Sequence, residues 1–418
     1  MSNNSTKILG KKEHTTLEGV KRLIVGEILK AEFSKQRPGK PYEALALYFE
    51  GTMGMGKSQS VQQAREDLSN ILGEEFGLID IRLAGMTGSD IQGIPVPITQ
   101  DGETFLKWLK DTLLPGIAKT CKKKGILFLD ELNQVEDNSV KSLLYQLILD
   151  KKINDYVMPE GWYIVAAGNR EEDGGVYNRL PAPVRDRMMI VEVDLSRDEW
   201  LDLYARPFGV HLSVVSFIES NDAGYLHTYD PEKEMDGDEE CENYVFATPR
   251  SWVMVSDQVY AFEDPQINIR IGYGNYGFLT TEEDLRVKFG ALLGKDMGNK
   301  FYNFYIQTRD CNVQEIYSIN WDSGYPSKNI QLSPEQLVYL STLASYPTDE
   351  NVDKAIKIIL YLISQGAPST SITLALKSFT EHQVKALNDF CILNHCQSYI
   401  TQLDELSVKF RNIRAAQA

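Results

Sequence analysis

Residues 51 to 58 are Gly51-Thr52-Met53-Gly54-Met55-Gly56-Lys57-Ser58, and they follow an apolar run, Ala44 to Phe49, that is typical of a β-strand. A helical pattern begins at Lys57. The order strand, G-x-x-x-x-G-K-S and helix is that of a phosphate-binding loop, whose glycines let backbone N–H groups turn toward phosphate oxygens. A turn that only links strand to helix is the alternative, and the Lys-Ser pair at this offset disfavours it.

This loop predicts a site for a nucleoside triphosphate. Lys57 would neutralise the β and γ oxygens, Ser58 would bind Mg²⁺, and the helix N-terminus would add partial positive charge. The predicted nucleotide-binding residues are Gly51, Thr52, Met53, Gly54, Met55, Gly56, Lys57, Ser58 and Gln59.

Further β-rich runs alternate with helical stretches, which predicts a parallel sheet flanked by helices. These runs are Gly77–Leu83, Gly125–Leu129, Trp162–Ala167 and Met188–Leu195. The third strand of the five, 125–129, is apolar throughout and is expected near the centre of the sheet. The Gly-, Thr- and Pro-rich segment 84–104 is expected to be a loop or small insertion, and 150–161 a short hairpin.

Beyond residue 195 the pattern becomes helical, with helix-start signals at Ser196 and Ser333. We therefore expect three parts: an α/β nucleotide-binding domain with an N-terminal helix over 1–195, a helical lid over 196–310, and a helical C-terminal region over 311–418.

Composition excludes some classes of function. The chain has 418 residues, 43% of them apolar, and a formal net charge of −16, which argues against a broad nucleic-acid-binding surface. It has no apolar run of bilayer length, and its polar start lacks the apolar region of a signal peptide. Five scattered cysteines fit reduced thiols, so a cytoplasmic location without membrane contact is expected.

Polar residues follow two of the predicted strands. Asp130 and Glu131 end the strand 125–129, where Asp130 would hold the Mg²⁺ and Glu131 would activate the attacking water. Asn169 follows the next strand, and its amide could orient the same water or simply form a turn.

Arginines complete the predicted chemistry. Arg185 and Arg187 precede the last predicted strand, which is expected at the edge of the sheet. There one of them could reach the γ-phosphate of a neighbouring subunit as an arginine finger. Surface charges are the alternative. Arg250 begins a helix after Thr248-Pro249 and offers one more guanidinium for the phosphates.

In combination these segments resemble the AAA+ ATPases of the MoxR-like group, especially a branch with FLDELNQ, AAGNRE, RLPAP and TPRSW segments. The corresponding segments here are FLDELNQ at 128–134, AAGNREE at 166–172, RLPAPVRDRM at 179–188 and ATPRSW at 247–252. The likeness also covers 79–97 and, more weakly, the C-terminal region. It implies an AAA+ P-loop NTPase core with a parallel sheet, followed by an all-α lid and a helical C-terminal region.

The resemblance also implies residue roles. Glu131 and Asp130 would form Walker B, Asn169 sensor 1, Arg187 the arginine finger and Arg250 sensor 2. Where relatives have an aromatic residue after the finger, this chain has Met188, and Arg185 is a second candidate. Whether sensor 2 acts in cis or in trans is left open.

The resemblance further implies a hexameric ring that binds ATP and Mg²⁺ and remodels a client protein, with a von Willebrand factor A domain protein as a possible partner. A nucleotide-switched component acting on DNA and an ATP-binding structural ring are the alternatives. The net charge disfavours the first and the intact Asp130-Glu131 pair the second. We also expect the loop 86–97, with Ile91, Ile94 and Val96, to line the ring's pore or touch the client; packing of these side chains against a helix around Trp108 is the alternative.

Overall fold

The computed structural model describes residues 12–35, 37–39, 41–100, 103–109, 113–116, 122–173, 177–230, 245–269, 279–322, 325–348, 350–394, 399 and 403. Its strands are β1 Glu13–Thr15, β2 Ala46–Glu50, β3 Gly77–Arg82, β4 Ile94–Gln100, β5 Glu103–Leu109, β6 Gly125–Asp130, β7 Lys152–Ile153, β8 Tyr156–Val157, β9 Trp162–Gly168, β10 Met188–Val193, β11 Trp321–Asp322 and β12 Tyr325–Pro326.

Helices make up most of the remainder. They are α1 Leu17–Ser34, α2 Lys57–Leu72, α3 Gly88–Gln92, α4 Asn138–Asp150, α5 Ala182–Asp186, α6 Arg197–Trp200, α7 Leu212–Ser220, α8 Pro249–Glu263, α9 Glu282–Leu293, α10 Lys295–Arg309, α11 Val313–Tyr317, α12 Pro334–Ala344, α13 Val352–Ser364, α14 Ser369–Ala375 and α15 Glu381–Leu393. A π-helical turn, Leu201–Ala205, follows α6.

The main sheet has six parallel strands in the order β1-β10-β2-β9-β6-β3. Strand β2 carries the phosphate loop and lies beside β9, which lies beside β6. Parallel strands place their carboxyl ends at one edge, so the residues after β2, β6 and β9 meet there. The predicted α/β phosphate-loop core, followed by a helical region, is confirmed.

Side chains alternate across strand β6, as expected for a strand buried on both faces. Ile126 and Phe128 pack with residues of α1 and α2, whereas Leu127 and Leu129 pack with residues of α4. Burial of each such side chain contributes about 1.5–3 kcal/mol, and the two cores fix the sheet between its helices.

Two predictions about the sheet need correction. Strand β6 is interior but not central, since only β3 lies beyond it. The last core strand, β10, is not at the edge, because β1 pairs alongside it over Glu13–Thr15. Of the two alternatives for the segment 84–104, the structure shows a small insertion and not a loop: it contains α3 and most of an antiparallel hairpin, β4 with β5, which is separate from the main sheet. The short hairpin predicted within 150–161 is confirmed as β7 and β8.

The chain divides into two compact units. One comprises residues 1–200, 229–244 and 248–250, and the other 201–228, 245–247 and 251–418. The second unit is almost entirely helical in its described part, with one two-stranded ribbon, β11 and β12. Its predicted helix start at Ser333 is a capping box with Gln336. The division of the chain at residues 195 and 310 stays a prediction.

Among the described residues, no helix is long and apolar enough to cross a membrane. Two further sequence patterns lie outside the described residues. They are the acidic stretch 231–242, which resembles a calcium-binding loop only superficially, and the glycines at 272, 274 and 277, whose spacing matches the dinucleotide-binding pattern G-x-G-x-x-G without the surrounding βαβ unit.

Candidate nucleotide-binding site

The phosphate loop lies between β2 and α2, as predicted. Gly54 and Gly56 adopt left-handed backbone angles, with φ of 71° and 118°. A Cβ on Gly54 would lie 2.9 Å from the side chain of Thr248. Glycine is therefore required there twice over, by the backbone conformation and by the close approach of a segment almost 200 residues away in sequence.

Lys57 is folded over this loop. Its Nζ donates to the carbonyl oxygens of Gly51 at 2.5 Å and Thr52 at 3.0 Å, and the residue is only 9% exposed. Burial lowers the pKa of Lys57 to about 8, although Asp130 and Asp173 nearby favour the charged form. The ammonium group therefore lies where a triphosphate would meet it. Gln59 is exposed on the first turn of α2.

Ser58 and Asp130 are 72 positions apart in sequence and meet at this edge of the sheet. The Ser58 hydroxyl donates to Asp130 Oδ2 at 2.9 Å. A hydroxyl and a carboxylate are hard oxygen ligands of the kind that Mg²⁺ prefers, and both face the phosphate loop's end of the sheet. The pair fits the predicted metal site.

Glu131 has a left-handed backbone, with φ of 60° and ψ of 35°, and begins a 3₁₀ turn, Leu132–Gln134. Its backbone N–H donates to Asp130 Oδ1 at 3.0 Å. A non-glycine residue in this conformation costs on the order of 1 kcal/mol, and such residues are concentrated at functional sites. The turn thus holds the Glu131 backbone against the Asp130 carboxylate.

Asn169 directly follows β9 and is held by a residue that the sequence analysis missed. Asn133, 1% exposed, donates its amide to the Asn169 carbonyl at 2.6 Å and accepts the Asn169 N–H at 3.2 Å. The phosphate loop is also bonded to β9, because the Gly51 N–H donates to the carbonyl oxygen of Gly168, the last residue of that strand, at 3.2 Å. Asn133 thus connects the turn after β6 to the residue that follows β9.

A second group was missed in the turn after Asn169. Arg170 makes three hydrogen bonds to the carboxylate of Asp173, which is 1% exposed. Tyr229, which follows α7 in sequence, donates its hydroxyl to the Asp173 carbonyl. A run of charged residues immediately after a buried strand is the only hint of this group in the sequence.

Arg250 reaches the loop through its backbone. Its N–H donates to the Gly54 carbonyl at 3.3 Å, and its side chain is exposed. Arg250 also lowers the pKa of Lys57, after the larger effect of burial, so its charge lies close to the loop of its own chain.

Arg185 and Arg187 lie away from the phosphate loop. Both side chains are exposed, and Arg187 Nη1 is 3.8 Å from Asp150 Oδ1. Arg187 precedes β10, whose first residue, Met188, pairs with Ala46 of β2. Five residues of β2 separate that level from Gly51, which at about 3.3 Å per residue is roughly 16 Å along the strand. The structure therefore separates both arginines from the other predicted site residues.

Known proteins add little to this description. The sequence matches no protein-family model and no curated protein. Solved structures with some likeness include a "putative ATPase" from Cytophaga hutchinsonii, with 15% identity, a TM-score of 0.30, and coverage of 68% of this chain and 75% of that one. Two variants of RuvB from Thermotoga maritima have 15% and 17% identity, TM-scores of 0.30 and 0.32, and cover 72% of this chain and 75% and 77% of theirs. TM-scores this low do not establish a common fold, so the fold class depends on the strand order and the phosphate loop.

Proposed function

We propose that this protein is an ATP hydrolase of the AAA+ type, resembling the MoxR-like branch. The observation that carries the proposal is the hydrogen bond from Ser58 to Asp130 at 2.9 Å, at the edge where Lys57 covers the phosphate loop. Two segments distant in sequence, 51–58 and the end of β6, thereby bring together an anion-binding loop, a cation and oxygen ligands for Mg²⁺.

The chemistry follows from the charges on these groups. Ser58 and Asp130 would hold Mg²⁺, which when bound neutralises charge on the β and γ phosphates. Lys57 moves its hydrogen bonds from the carbonyls of Gly51 and Thr52 to the phosphate oxygens. Glu131 accepts a proton from the attacking water as the water oxygen bonds to the γ phosphorus and the bond to the β–γ bridging oxygen breaks, giving ADP and phosphate. Asn169 orients that water.

Arg250 would act in cis and Arg187 in trans. The Arg250 backbone bonds to Gly54 of its own chain, which supports a contact with its own nucleotide. Arg187 is exposed at the opposite end of the sheet, which supports a contact with the nucleotide of a neighbouring subunit. A finger supplied this way requires a neighbouring subunit, and we propose that the subunits form a hexameric ring.

Client remodelling is the function that this ring would serve. The hairpin of β4 and β5 exposes Ile94 (62%), Phe105 (46%) and Leu106 (69%), whereas Ile91 is buried in the core of its own subunit. Trp108 lies in β5 and not in a helix, so the alternative of packing against a helix at this position is wrong. We propose that the hairpin touches the client, which could be a von Willebrand factor A domain protein in the cytoplasm; a DNA substrate would instead stimulate turnover when added.

Two substitutions test hydrolysis. In Lys57→Ala, binding of Mg²⁺-ATP itself should weaken, because the cation facing the phosphates is lost. In Glu131→Gln, binding should persist while turnover falls by roughly 10²–10⁴-fold, since only proton acceptance is removed. Binding would be measured by calorimetry and turnover by phosphate release. Equal loss of ATP binding in both variants would contradict these roles.

A further inference from the structure

The turn after Asn169 contains Arg170, whose guanidinium makes hydrogen bonds along only one of its edges. Arg170 Nη2 donates to Asp173 Oδ1 at 2.8 Å, and its Nε donates to Asp173 Oδ2 at 3.3 Å. Arg170 Nη1 instead lies 3.7 Å from one oxygen each of Glu172 and Glu192, which is too long for a hydrogen bond. One edge of the planar group is therefore fixed, and the other edge has donors to offer.

Asp173 holds that group rigidly. Its carboxylate is 1% exposed, and the Arg170 backbone N–H also donates to it at 3.3 Å. The turn closes on itself, since the Asp173 N–H donates to the Arg170 carbonyl at 3.2 Å. A buried carboxylate with three donors from a single residue positions that residue better than a surface ion pair does.

This guanidinium follows the carboxyl end of β9, the end of the sheet that carries the phosphate loop. Arg170 is separated by one peptide bond from Asn169, and β9 is tied to the phosphate loop by the Gly51 to Gly168 hydrogen bond. Burial and Asp130 have the largest effects on the pKa of Lys57. Asp173 then raises this pKa and Arg170 lowers it, which fits a position of both side chains near Lys57. Arg170 itself is 27% exposed in its side chain, so a ligand at this edge has access to it.

We infer that Arg170, positioned by Asp173, is a cis cation of the nucleotide site that donates Nη1 to the terminal phosphate of ATP. Glu172 and Glu192 hold Nη1 loosely in the free protein, and the more highly charged triphosphate replaces them at hydrogen-bond distance. Because Asn169 is expected at the γ-phosphate, Arg170 distinguishes ATP from ADP. The inference rests on the proposed ATP-binding function.

The test compares affinities for the non-hydrolysable analogue AMP-PNP and for ADP, both with Mg²⁺, in the full chain. Arg170→Ala should weaken AMP-PNP binding by about tenfold or more and change ADP binding less than twofold. Because Asp173 is then left buried without its partner, the double variant Arg170→Gln with Asp173→Asn provides a folded comparison with neither charge. It should show the same selective loss, with an unfolding temperature close to that of the wild type.

Each of the following results would overturn the inference. AMP-PNP and ADP affinities could fall by the same factor in both variants, which would indicate a structural role. The double variant could recover wild-type AMP-PNP affinity, which would show that Arg170 serves only to neutralise Asp173. A wild-type protein that binds neither nucleotide would refute the proposed function as well, whereas an unchanged AMP-PNP to ADP ratio in Arg170→Ala would refute this inference alone.

Discussion

The two ends of the parallel sheet differ in the hydrogen bonds that their predicted site residues make within the chain. At the carboxyl end, the side chains of Ser58 and Lys57 donate hydrogen bonds within the chain at 3.0 Å or less, and Asn133 holds the backbone of Asn169. At the amino end, Arg185 and Arg187 are exposed, and Arg187 has an ion pair with Asp150 at 3.8 Å. An exposed pair at that distance contributes about 0–1 kcal/mol.

The difference suggests which of the proposed catalytic groups one chain supplies to its own nucleotide and which it supplies to a neighbour's. In the proposed mechanism, ATP binding, Mg²⁺ coordination and water activation would all come from the carboxyl end of the sheet. The transition-state cation would come from the other edge, roughly 16 Å away along β2 by strand rise. A single subunit would then bind ATP and hydrolyse it slowly.

The largest expected effect is at the amino end. Arg187→Ala should lower turnover by roughly a thousandfold, because a finger stabilises transition-state charge, while ATP binding stays close to that of the wild type. Arg185→Ala is the matched control at the same end and should lose far less. Turnover by phosphate release and binding by calorimetry check both. Full activity in Arg187→Ala, with the loss in Arg185→Ala instead, would move the finger to Arg185.

A smaller effect is expected from the loop itself. Gly54→Ala should weaken ATP binding about tenfold or more, since φ is 71° and the new Cβ would meet Thr248 at 2.9 Å. Gly73→Ala is the matched control: its φ is 66°, but open space surrounds it. It should lower the free energy of unfolding by about 1 kcal/mol and leave the ATP affinity unchanged. Equal ATP affinities in the two variants would show that the Thr248 contact does not matter.

The pH dependence of ATP binding should depend on Lys57. With a pKa of about 8 in the free protein, the amine is largely neutral above that pH. Bound phosphates favour the charged form, so binding at about pH 9 should take up close to one proton, and affinity should fall as pH rises past 8. Calorimetry in two buffers of different ionisation enthalpy measures this uptake.

Lys57→Arg controls for other titrating groups. Its guanidinium stays charged at pH 9, so the proton uptake assigned to Lys57 should vanish. Identical uptake in Lys57→Arg and in the wild type would assign the proton to another group.

The smallest effect on turnover is expected at the hairpin. Ile94→Ser combined with Leu106→Ser should leave basal ATP turnover and the unfolding temperature unchanged, because both side chains are more than 60% exposed. The same change should abolish co-purification of whichever protein the ATP-bound Glu131→Gln variant retains. Ile71→Ser, at an exposed position at the end of α2, is the control. Unaltered retention in the hairpin variant would exclude the hairpin from client binding.

Much of this architecture could be predicted because its signals are local. Five core strands are short apolar runs, and the loop has a fixed spacing, so their positions follow from the sequence within one or two residues. Strand β1 could not be predicted in this way: Glu13–Thr15 has three polar residues, and its place beside β10 depends on tertiary pairing. That missing strand is why β10 was expected at the edge.

The hairpin had a signal that the composition of 84–104 obscured. Asp101-Gly102 separates two runs of alternating apolar residues, which is typical of a two-residue hairpin turn. Asn133, by contrast, acts through hydrogen bonds to Asn169, 36 residues away in sequence. Asp173 acts through its burial after a turn. Sequence spacing alone cannot show which polar residue becomes buried, so these two positions needed the structure.

A mixing experiment tests the division of labour between the two ends most directly. Arg187→Ala subunits keep their own Glu131, and Glu131→Gln subunits keep Arg187, so a shared site supplies both groups only when the two variants assemble together. We predict that each variant alone is nearly inactive and that a small fraction of Arg187→Ala in excess Glu131→Gln regains ATP turnover. Absence of recovered turnover at every ratio, with both variants shown to co-assemble, would contradict a finger supplied in trans.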